Sequence, residues 1–207
     1  MDRLRLTARD LACIRGGRVV FENLSFTATG GEALVVTGPN GAGKSSLLRQ
    51  IAGLVDIAGG AIALEGGAAD ATLAEQAHYV GHLDALKSAM SVRETARFWS
   101  DFLGGTQQGI DAAFDAFDLA GLADLPVAYL SAGQRRRLAL SRLLIAPRAL
   151  WLLDEPSVAL DAASLARLVA AMEHHLVGGG LIVAATHHDL GLASVVTLDL
   201  SRAPVAA

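Results

Sequence analysis

Apolar and polar positions along this 207-residue chain alternate in short blocks whose periods predict an α/β protein. From residue 4 to residue 29 the alternation has a period of two and is interrupted by glycine pairs, which predicts antiparallel strands joined by turns. Three continuous apolar runs have the length of buried strands, at residues 33–37, 149–153 and 181–186. A helical pattern over 162–177 separates the last two runs. Strand, helix and strand in this order predict a mostly parallel sheet with crossover helices.

Two further segments have helical patterns. The first extends from Lys44 to about Ala52, where Gly53 is placed to terminate it. The second covers about residues 84–145 and is interrupted by glycine and glutamine at 104–109. The chain length suits one domain. We therefore predict a single domain over the whole chain, with an α/β core, an N-terminal antiparallel β subdomain and an inserted helical subdomain.

Composition narrows the class of protein. The formal net charge of −4 argues against a nucleic-acid-binding protein, which usually has a basic surface. Cys13 is the only cysteine, so it forms no internal disulfide, and we expect it to be buried. The start of the chain does not resemble a secretory signal, and residues 201–207 are expected to fray. Mean hydropathy is +0.41, which fits either an alanine-rich core or an apolar face that docks on a membrane protein.

Residues 38–45 have the spacing G-x-x-x-x-G-K-[ST] of a phosphate-binding loop. They are Gly38, Pro39, Asn40, Gly41, Ala42, Gly43, Lys44 and Ser45. Glycines let a backbone wrap around phosphates with its N–H groups inward, and the next helix directs the positive end of its dipole at the anion. In such loops the lysine reaches the β- and γ-phosphates of ATP and the serine hydroxyl binds Mg²⁺. Ser46 adds a hydroxyl for the α-phosphate.

An apolar strand that ends in two acids supplies the second part of the chemistry. Asp154 and Glu155 follow the run 149–153. In ATPases with this loop, such an aspartate holds the Mg²⁺ shell, usually through water. Glu155 is placed to polarise the attacking water as general base. Trp151 alternates within the strand, so we interpret it as a core residue.

The segment Leu130-Ser131-Ala132-Gly133-Gln134 resembles the LSGGQ signature of ABC ATPases, with Ala132 in place of one glycine. It opens a predicted helix for which Ser131 is the N-cap, and a helix N-terminus with small residues is an anion site. The resemblance implies that this site contacts the γ-phosphate bound to another subunit. It therefore implies a head-to-tail homodimer with two ATP molecules between the subunits.

Two more segments extend the resemblance to ABC ATPases over the whole chain. Ser157-Val158-Ala159-Leu160-Asp161 resembles the family's D-loop, with Asp161 at its acidic position. Thr186-His187 closes a predicted strand as the family's switch histidine does, which implies that the His187 imidazole contacts the γ-phosphate. The adjacent His188 is not expected to be the switch.

Two positions depart from the family's pattern. Arg15 lies where an aromatic ring that stacks on adenine is expected, and a guanidinium plane can also stack on a base. A solvated arginine is the alternative. His82 lies where the family has a glutamine that senses Mg²⁺ and the attacking water beside the membrane partner. A neutral imidazole can still ligate or hydrogen-bond, so His82 is included among the candidate catalytic residues.

These departures narrow the resemblance. Tyr79-Val80-Gly81-His82, the LSAGQ signature and the Trp151-containing strand end together resemble the ATP-binding subunits of cytochrome c maturation haem exporters. The resemblance implies integral membrane partners, transfer of haem to a periplasmic chaperone, and a peripheral position on the cytoplasmic face of the bacterial inner membrane. It implies no haem site on this chain. The six histidines form no Cys/His haem motif with the single cysteine. They are His78, His82, His174, His175, His187 and His188.

Several alternatives stay open at this point. The same ATPase chemistry would serve an ABC transporter for another small solute. An ABC-type ATPase that acts on nucleic acid is disfavoured. Such proteins usually carry coiled-coil insertions or two ATPase halves, whereas this chain has one set of ATPase motifs and no room for an insertion. Phe98 and Trp99, in a helix over Val92–Leu103, fit either a helical core or a docking groove. Arg135-Arg136-Arg137 is interpreted as a solvated helical face with one or two ion pairs.

Overall fold

A computed structural model describes residues 3–202 and divides the chain into two compact units. The first unit contains the chain up to Gly81 together with Ala149–Pro156 and the residues from Glu173 onward. The second contains His82–Arg148 and Ser157–Met172. The expectations for the two ends of the chain fall partly on residues 1–2 and 203–207, which lie outside the described residues.

The elements follow one another as strands and helices numbered in chain order. The strands are β1 (Arg5–Arg15), β2 (Arg18–Thr29), β3 (Ala33–Thr37), β4 (Gly59–Glu65), β5 (Ala77–Val80), β6 (Leu150–Asp154), β7 (Leu181–Ala185) and β8 (Val195–Asp199). The helices are α1 (Lys44–Ile51), α2 (Val92–Leu103), α3 (Gln107–Phe117), α4 (Ala132–Ile145) and α5 (Ala162–Val177). Short 3₁₀ turns occur at Ala74–Gln76, Ala120–Leu122, Val127–Tyr129 and Leu200–Arg202.

The first unit is built on a five-stranded sheet of order β5-β6-β7-β3-β8, in which the neighbouring strands are parallel. Every residue of β6 and β7 is buried, which explains why these strands have continuous apolar sequences. A second sheet, of order β2-β1-β4, is antiparallel. The predicted α/β class with a parallel sheet and an antiparallel sheet is confirmed.

The parallel sheet brings three strand ends to one edge. Because β3, β6 and β7 are parallel, their carboxyl ends meet there. β3 leads into the glycine-rich loop, β6 ends at Asp154, and β7 is followed by Thr186 and His187. Ligands of open α/β sheets bind at this edge.

The end of α1 shows how local sequence signals fix an element. Ala52 is the C-cap, and Gly53 has a φ of +70°, which glycine adopts without a steric penalty. The Leu54 N–H donates to the Arg49 carbonyl at 2.8 Å, and the Gly53 N–H donates to the Gln50 carbonyl at 3.0 Å. These two bonds form a Schellman motif. The predicted termination at Gly53 is therefore confirmed.

The second unit contains three separate helices before β6, not one nearly continuous helical stretch. The interruption predicted at 104–109 is present, because Gly104 ends α2 with a φ of +74° and the Thr106 side chain caps α3. Residues 84–91 and 118–131 are not α-helical, so the predicted helical pattern was too broad there. Asp118, with a φ of +53°, ends α3, and Pro126 lies in the connection to α4.

The core of the first unit lies between α1 and the strands of both sheets. Leu6, Phe21, Leu34 and Leu47 are fully buried in it. Cys13 is also fully buried, as predicted, and burial raises the pKa of its thiol. Among residues 3–202, none of the helices combines the length and apolarity that a bilayer crossing requires.

Trp151 is a core residue, as predicted, and its indole stacks on His175. The ring centroids are 4.1 Å apart with an interplanar angle of 10°. Burial lowers the pKa of His175 to about 4. An unfolded histidine titrates near 6.5, so between about pH 6.5 and pH 4 the unfolded chain binds a proton that the folded chain does not.

We expect the free energy of unfolding to fall as the pH falls through this window, by about 2 kcal/mol from pH 7.5 to pH 5 through His175 alone. Denaturant unfolding at the two pH values measures this. His175→Gln should lose that share of the pH dependence, whereas His174→Gln, at an exposed position on the same helix, should keep it. Equal pH dependence in wild type and His175→Gln would contradict the assignment.

Candidate functional site

The loop between β3 and α1 is a cradle formed by glycine backbone. Gly38, Gly41 and Gly43 have φ values of +135°, +87° and +98°. A Cβ on Gly43 would lie 2.6 Å from Val20 Cγ1 and 2.9 Å from Phe21 Cδ1, because β2 packs directly against the loop. Gly43 is the N-cap of α1 and makes no side-chain capping bond. The first-turn N–H groups of a helix have no intrahelical partner, so they are placed to bind an anion.

Lys44 lies folded against this loop. Its side chain is buried, and Nζ donates to the Gly38 carbonyl at 2.7 Å and to the Pro39 carbonyl at 3.1 Å. These bonds hold the ammonium group beside the loop backbone, where an anion in the cradle would meet it. Asn40 and Gly41, at the tip of the loop, are exposed.

Ser45 and Asp154 meet across α1 and β6. The Ser45 hydroxyl donates to Asp154 Oδ1 at 3.0 Å, and Asp154 is almost fully buried. The residues are 109 positions apart in sequence, and the parallel sheet brings them together. The pair offers a hydroxyl and a carboxylate, which are hard oxygen ligands.

Glu155 follows β6 in an unusual backbone conformation. Its φ is +48°, which is uncommon for a residue with a side chain, and its N–H donates to the Ala185 carbonyl at 2.8 Å. The bond fixes Glu155 beside the end of β7. His187 Nε2 lies 3.8 Å from Glu155 Oε1, and the His187 side chain is 47% exposed. The structure thus brings His187 next to Glu155 at the edge where Ser45 and Asp154 lie.

A second, separate site lies within the second unit. Ser131 is the N-cap of α4, as predicted, and forms a capping box with Gln134. A Cβ on Gly133 would lie 2.9 Å from the Ala159 carbonyl oxygen, so only glycine permits this close approach. Ala132, at the first position of α4, is exposed.

Asp161 caps the neighbouring helix α5. The Ser164 N–H donates to Asp161 Oδ1 at 2.8 Å, and the hydrogen bonds from Ser164 lower the pKa of Asp161. A polar cavity of about 340 Å³ therefore has two helix N-termini at its wall. Its lining consists of Ser131, Gly133, Gln134, Arg137, Ala159, Asp161 and Ser164.

The other candidate residues have less defined surroundings. Arg15 is exposed at the end of β1, and His82 is exposed at the start of the second unit. Ser46 forms a side-chain hydrogen bond with Cys13, and the sequence did not predict this contact. The alternation of β1 predicts that Cys13 points inward, but no sequence signal indicates that it meets Ser46.

Comparison with known proteins places these motifs in a family. A family model described as ABC transporter matches residues 21–158. A cytochrome c biogenesis ATP-binding export protein CcmA from Nitrobacter winogradskyi is 56% identical over 191 residues, which cover 92% of this chain and 96% of that protein. This chain belongs to the ABC transporter family. The CcmA protein of Rhodopseudomonas palustris strain BisB18 is 59% identical over 191 residues, with the same shares covered.

Solved structures of ABC transporter proteins share the fold. A putative ABC transporter ATP-binding protein from Pyrococcus furiosus superposes with a TM-score of 0.82 at 22% identity, covering 96% of this chain and 98% of that chain. A bacterial Atm1-family ABC exporter with ATP bound gives a TM-score of 0.81 over 98% of this chain and 38% of that chain. The resemblance read from the motifs is confirmed, and membership in the ABC transporter family assigns nucleotide binding and ATP hydrolysis to this chain.

Proposed function

We propose that this chain is the ATP-hydrolysing subunit of an ABC system that exports haem for cytochrome c maturation. The ATPase assignment is supported chiefly by the hydrogen bond from Ser45 to Asp154, at 3.0 Å, next to the glycine-rich loop that Lys44 contacts. The transport assignment is supported by the 56% identity to a cytochrome c biogenesis export protein over nearly the whole chain.

The glycine-rich loop holds the triphosphate of ATP in this proposal. Lys44 Nζ exchanges its carbonyl partners on the loop for the β- and γ-phosphates. The Ser46 hydroxyl binds the α-phosphate, and Arg15 stacks on the adenine. Binding thus replaces bonds from the Lys44 ammonium group to neutral carbonyls with bonds to anionic phosphate oxygens.

The residues at the sheet edge fit a Mg²⁺ ion. Mg²⁺ in nucleotide sites is usually held by one or two protein carboxylates together with waters and phosphates. Ser45 Oγ and Asp154 supply such oxygen ligands, with Asp154 acting through a water. Within residues 3–202, no group of three or more His, Cys, Asp or Glu side chains is arranged to hold a metal ion. The bound ion would neutralise charge on the phosphates.

Hydrolysis follows from the groups around Glu155. Its carboxylate accepts a proton from a water while the water oxygen bonds to the γ-phosphorus and the bond to the bridging oxygen breaks. His187, 3.8 Å from Glu155, donates to the γ-phosphate and helps to orient it. His82 takes the place of the glutamine that the resemblance predicts beside the attacking water.

The polar cavity beside Ser131 and Asp161 completes the site of a second copy. Its helix N-termini and Arg137 are placed to bind an anion. In a head-to-tail homodimer, the cavity of one subunit faces the γ-phosphate held by the loop of the other. Each site then needs both subunits, so ATP binding closes the dimer and hydrolysis opens it.

An exposed aromatic face on α2 is proposed to contact the integral membrane subunits of the system. Phe98 is 45% and Phe102 71% exposed, and their rings stack with centroids 6.1 Å apart. Of the two alternatives left open for Phe98, the helical core is wrong, because the side chain is exposed. Trp99 packs under Arg142, whose guanidinium lies 4.9 Å from the indole centroid. An exposed apolar patch of this kind is typical of an interaction site. Docking there on the membrane subunits would hold the chain as a peripheral subunit at the cytoplasmic face of the inner membrane.

Haem itself is assigned to the membrane partners and the periplasmic chaperone, with no direct haem binding by this chain. Nucleic acid is not a proposed partner.

The test of the whole proposal is to delete the gene for this chain and to purify a tagged copy from detergent-extracted membranes. We expect loss of covalent haem from c-type cytochromes on deletion, and co-isolation of integral membrane proteins with the tagged chain. Intact cytochromes after deletion would overturn the transport assignment.

Substitution Phe102→Glu should release the chain from the membrane fraction, because a charge in an apolar docking face is left without a partner. The measurement is the share of the chain that sediments with membranes, with Mg-ATP hydrolysis of the purified protein as a check on folding. Val177→Glu is the control, since Val177 is 85% exposed at the end of α5 in the first unit. Equal sedimentation of Phe102→Glu and wild type would refute the docking role.

A further inference from the structure

Of the three consecutive arginines after the signature segment, two form ion pairs, and Arg136 is the most deeply buried. Arg137 Nη1 donates to Asp118 Oδ2 at 3.0 Å, with 13% of the Arg137 side chain and 67% of the Asp118 side chain exposed. Arg136 instead is buried, with a side chain only 4% exposed. Its Nη1 donates to Asp84 Oδ1 at 3.1 Å. The predicted ion pairs are present, at Arg136 and Arg137, but the interpretation as a solvated face is wrong for Arg136.

A buried guanidinium calls for an explanation. Arginine stays charged inside a protein, and removing it from water is costly unless acceptors and a countercharge surround it. Asp84 supplies a countercharge, with 26% of its side chain exposed. Apolar residues of similar volume often stabilise a fold as well as a buried ion pair does. The pair is thus better explained by the geometry it imposes than by stability.

The pair joins two segments that the proposed function uses. Arg136 lies in the second turn of α4, the helix whose N-terminus carries Ser131 and Gly133. Asp84 is two residues after His82 and is followed by Ala85, which has a φ of +52°. The two partners are 52 positions apart in sequence, and both belong to the second unit.

Residues 82–90, called the His82 segment below, are also attached through backbone hydrogen bonds. The Ala128 N–H donates to the Ser88 carbonyl at 3.0 Å, and the Val127 N–H donates to the Met90 carbonyl at 2.9 Å. These bonds tie the segment to the connection that precedes α4. The ion pair adds a link from Asp84 to α4 itself.

We propose that Asp84 and Arg136 are positioning residues that fix the His82 segment to the signature helix, so that the two move as one body during the ATPase cycle. This inference rests on the proposed function, because it needs the α4 N-terminus to engage the nucleotide of a second copy. Arg136 touches no nucleotide; it sets where Ser131 and Gly133 lie when the dimer closes. Loosening the link lowers the fraction of ATP-loaded dimers that reach the closed state.

The consequence is a split between affinity and turnover. The loop around Lys44 lies in the first unit, so the affinity of one chain for ATP does not depend on the pair. Turnover requires the signature helix of the partner, and therefore does depend on it. A loss of kcat without a change in ATP affinity distinguishes positioning from a general loss of structure.

The experiment compares Asp84→Asn with Asp124→Asn in the full-length chain. Asp124 pairs with Arg93 at 3.0 Å in the same unit, but the two side chains are 85% and 40% exposed. Exposed pairs contribute little, so Asp124→Asn should match the wild type in every measurement. For Asp84→Asn we expect a fall in kcat of about tenfold or more, with the dissociation constant of a fluorescent ATP analogue within about twofold of wild type.

Asp84→Glu keeps the charge and is the second variant, in case Asp84→Asn does not fold. It should remain folded and show the same split, because the longer side chain misplaces the segment. A folded Asp84→Asn or Asp84→Glu with wild-type kcat, in a preparation whose wild type dimerises with ATP, would overturn the positioning role. A wild type that neither hydrolyses ATP nor dimerises would instead refute the proposed function.

Discussion

Replacement of Glu155 by glutamine is expected to give a protein that binds ATP, does not hydrolyse it and accumulates as a dimer. Glutamine has nearly the same shape as glutamate but does not accept the proton of the attacking water. General-base catalysis contributes about 10²- to 10⁴-fold, so kcat should fall by that factor. Binding survives, because Lys44 and Ser45 are unchanged. The measurements are steady-state Mg-ATP hydrolysis and the molar mass by light scattering in saturating Mg-ATP.

The matched control is Glu65→Gln, at an exposed position of the edge strand β4. It removes the same charge and should leave hydrolysis and molar mass as in wild type. A Glu155→Gln protein that stays monomeric in saturating Mg-ATP would count against the sandwich of two nucleotides. Full hydrolysis in this variant would refute the general-base role of Glu155.

Lys44→Ala is expected to abolish both tight ATP binding and turnover. The ammonium group is held at the loop by carbonyls 2.7 and 3.1 Å away, where the phosphates of ATP would replace those partners. Loss of one such charge-stabilising group from a reaction centre costs about 10²- to 10³-fold in rate. Titration with a fluorescent ATP analogue and a steady-state ATPase assay measure the two effects.

Arg167→Ala is the control for Lys44→Ala. Arg167 is an exposed cation on α5, and its contact to the Ala116 carbonyl is long, at 3.5 Å. Its removal should change neither affinity nor turnover beyond about twofold. Wild-type hydrolysis by a clean preparation of Lys44→Ala would show that the nucleotide does not bind at this loop.

Elements with sharp local signals were predictable from sequence. The strand β3 and the helix α5 have the predicted bounds, and the N-cap of α4 is Ser131 as the capping pattern indicates. The strands β4, β5 and β8 were not predicted. β5 has four residues, and β4 and β8 are at sheet edges where most residues are partly or fully exposed. Their pairing depends on distant strands, which the local pattern does not contain.

In the candidate site, too, the features with a local sequence motif were predictable and the contacts between distant residues were not. The residues of the loop, with Asp154 and Glu155, follow from motif spacing, and the parallel sheet explains why Ser45 and Asp154 meet. The burial of Arg136 did not follow from sequence, because three successive arginines have the pattern of a solvated helix and the partner is 52 positions away. The positive φ of Glu155 did not follow from sequence either, and its N–H bonds to the Ala185 carbonyl, on a strand 30 positions later.

The most direct test of the central claim is a haem stain of c-type cytochromes in cells whose only copy of this chain carries Glu155→Gln. Immunodetection must show normal amounts of the variant, and cells with the wild-type copy serve as the control. We predict that covalently attached haem disappears in the variant and returns with the wild type. Normal staining in the variant would contradict a role for ATP hydrolysis by this chain in cytochrome c maturation.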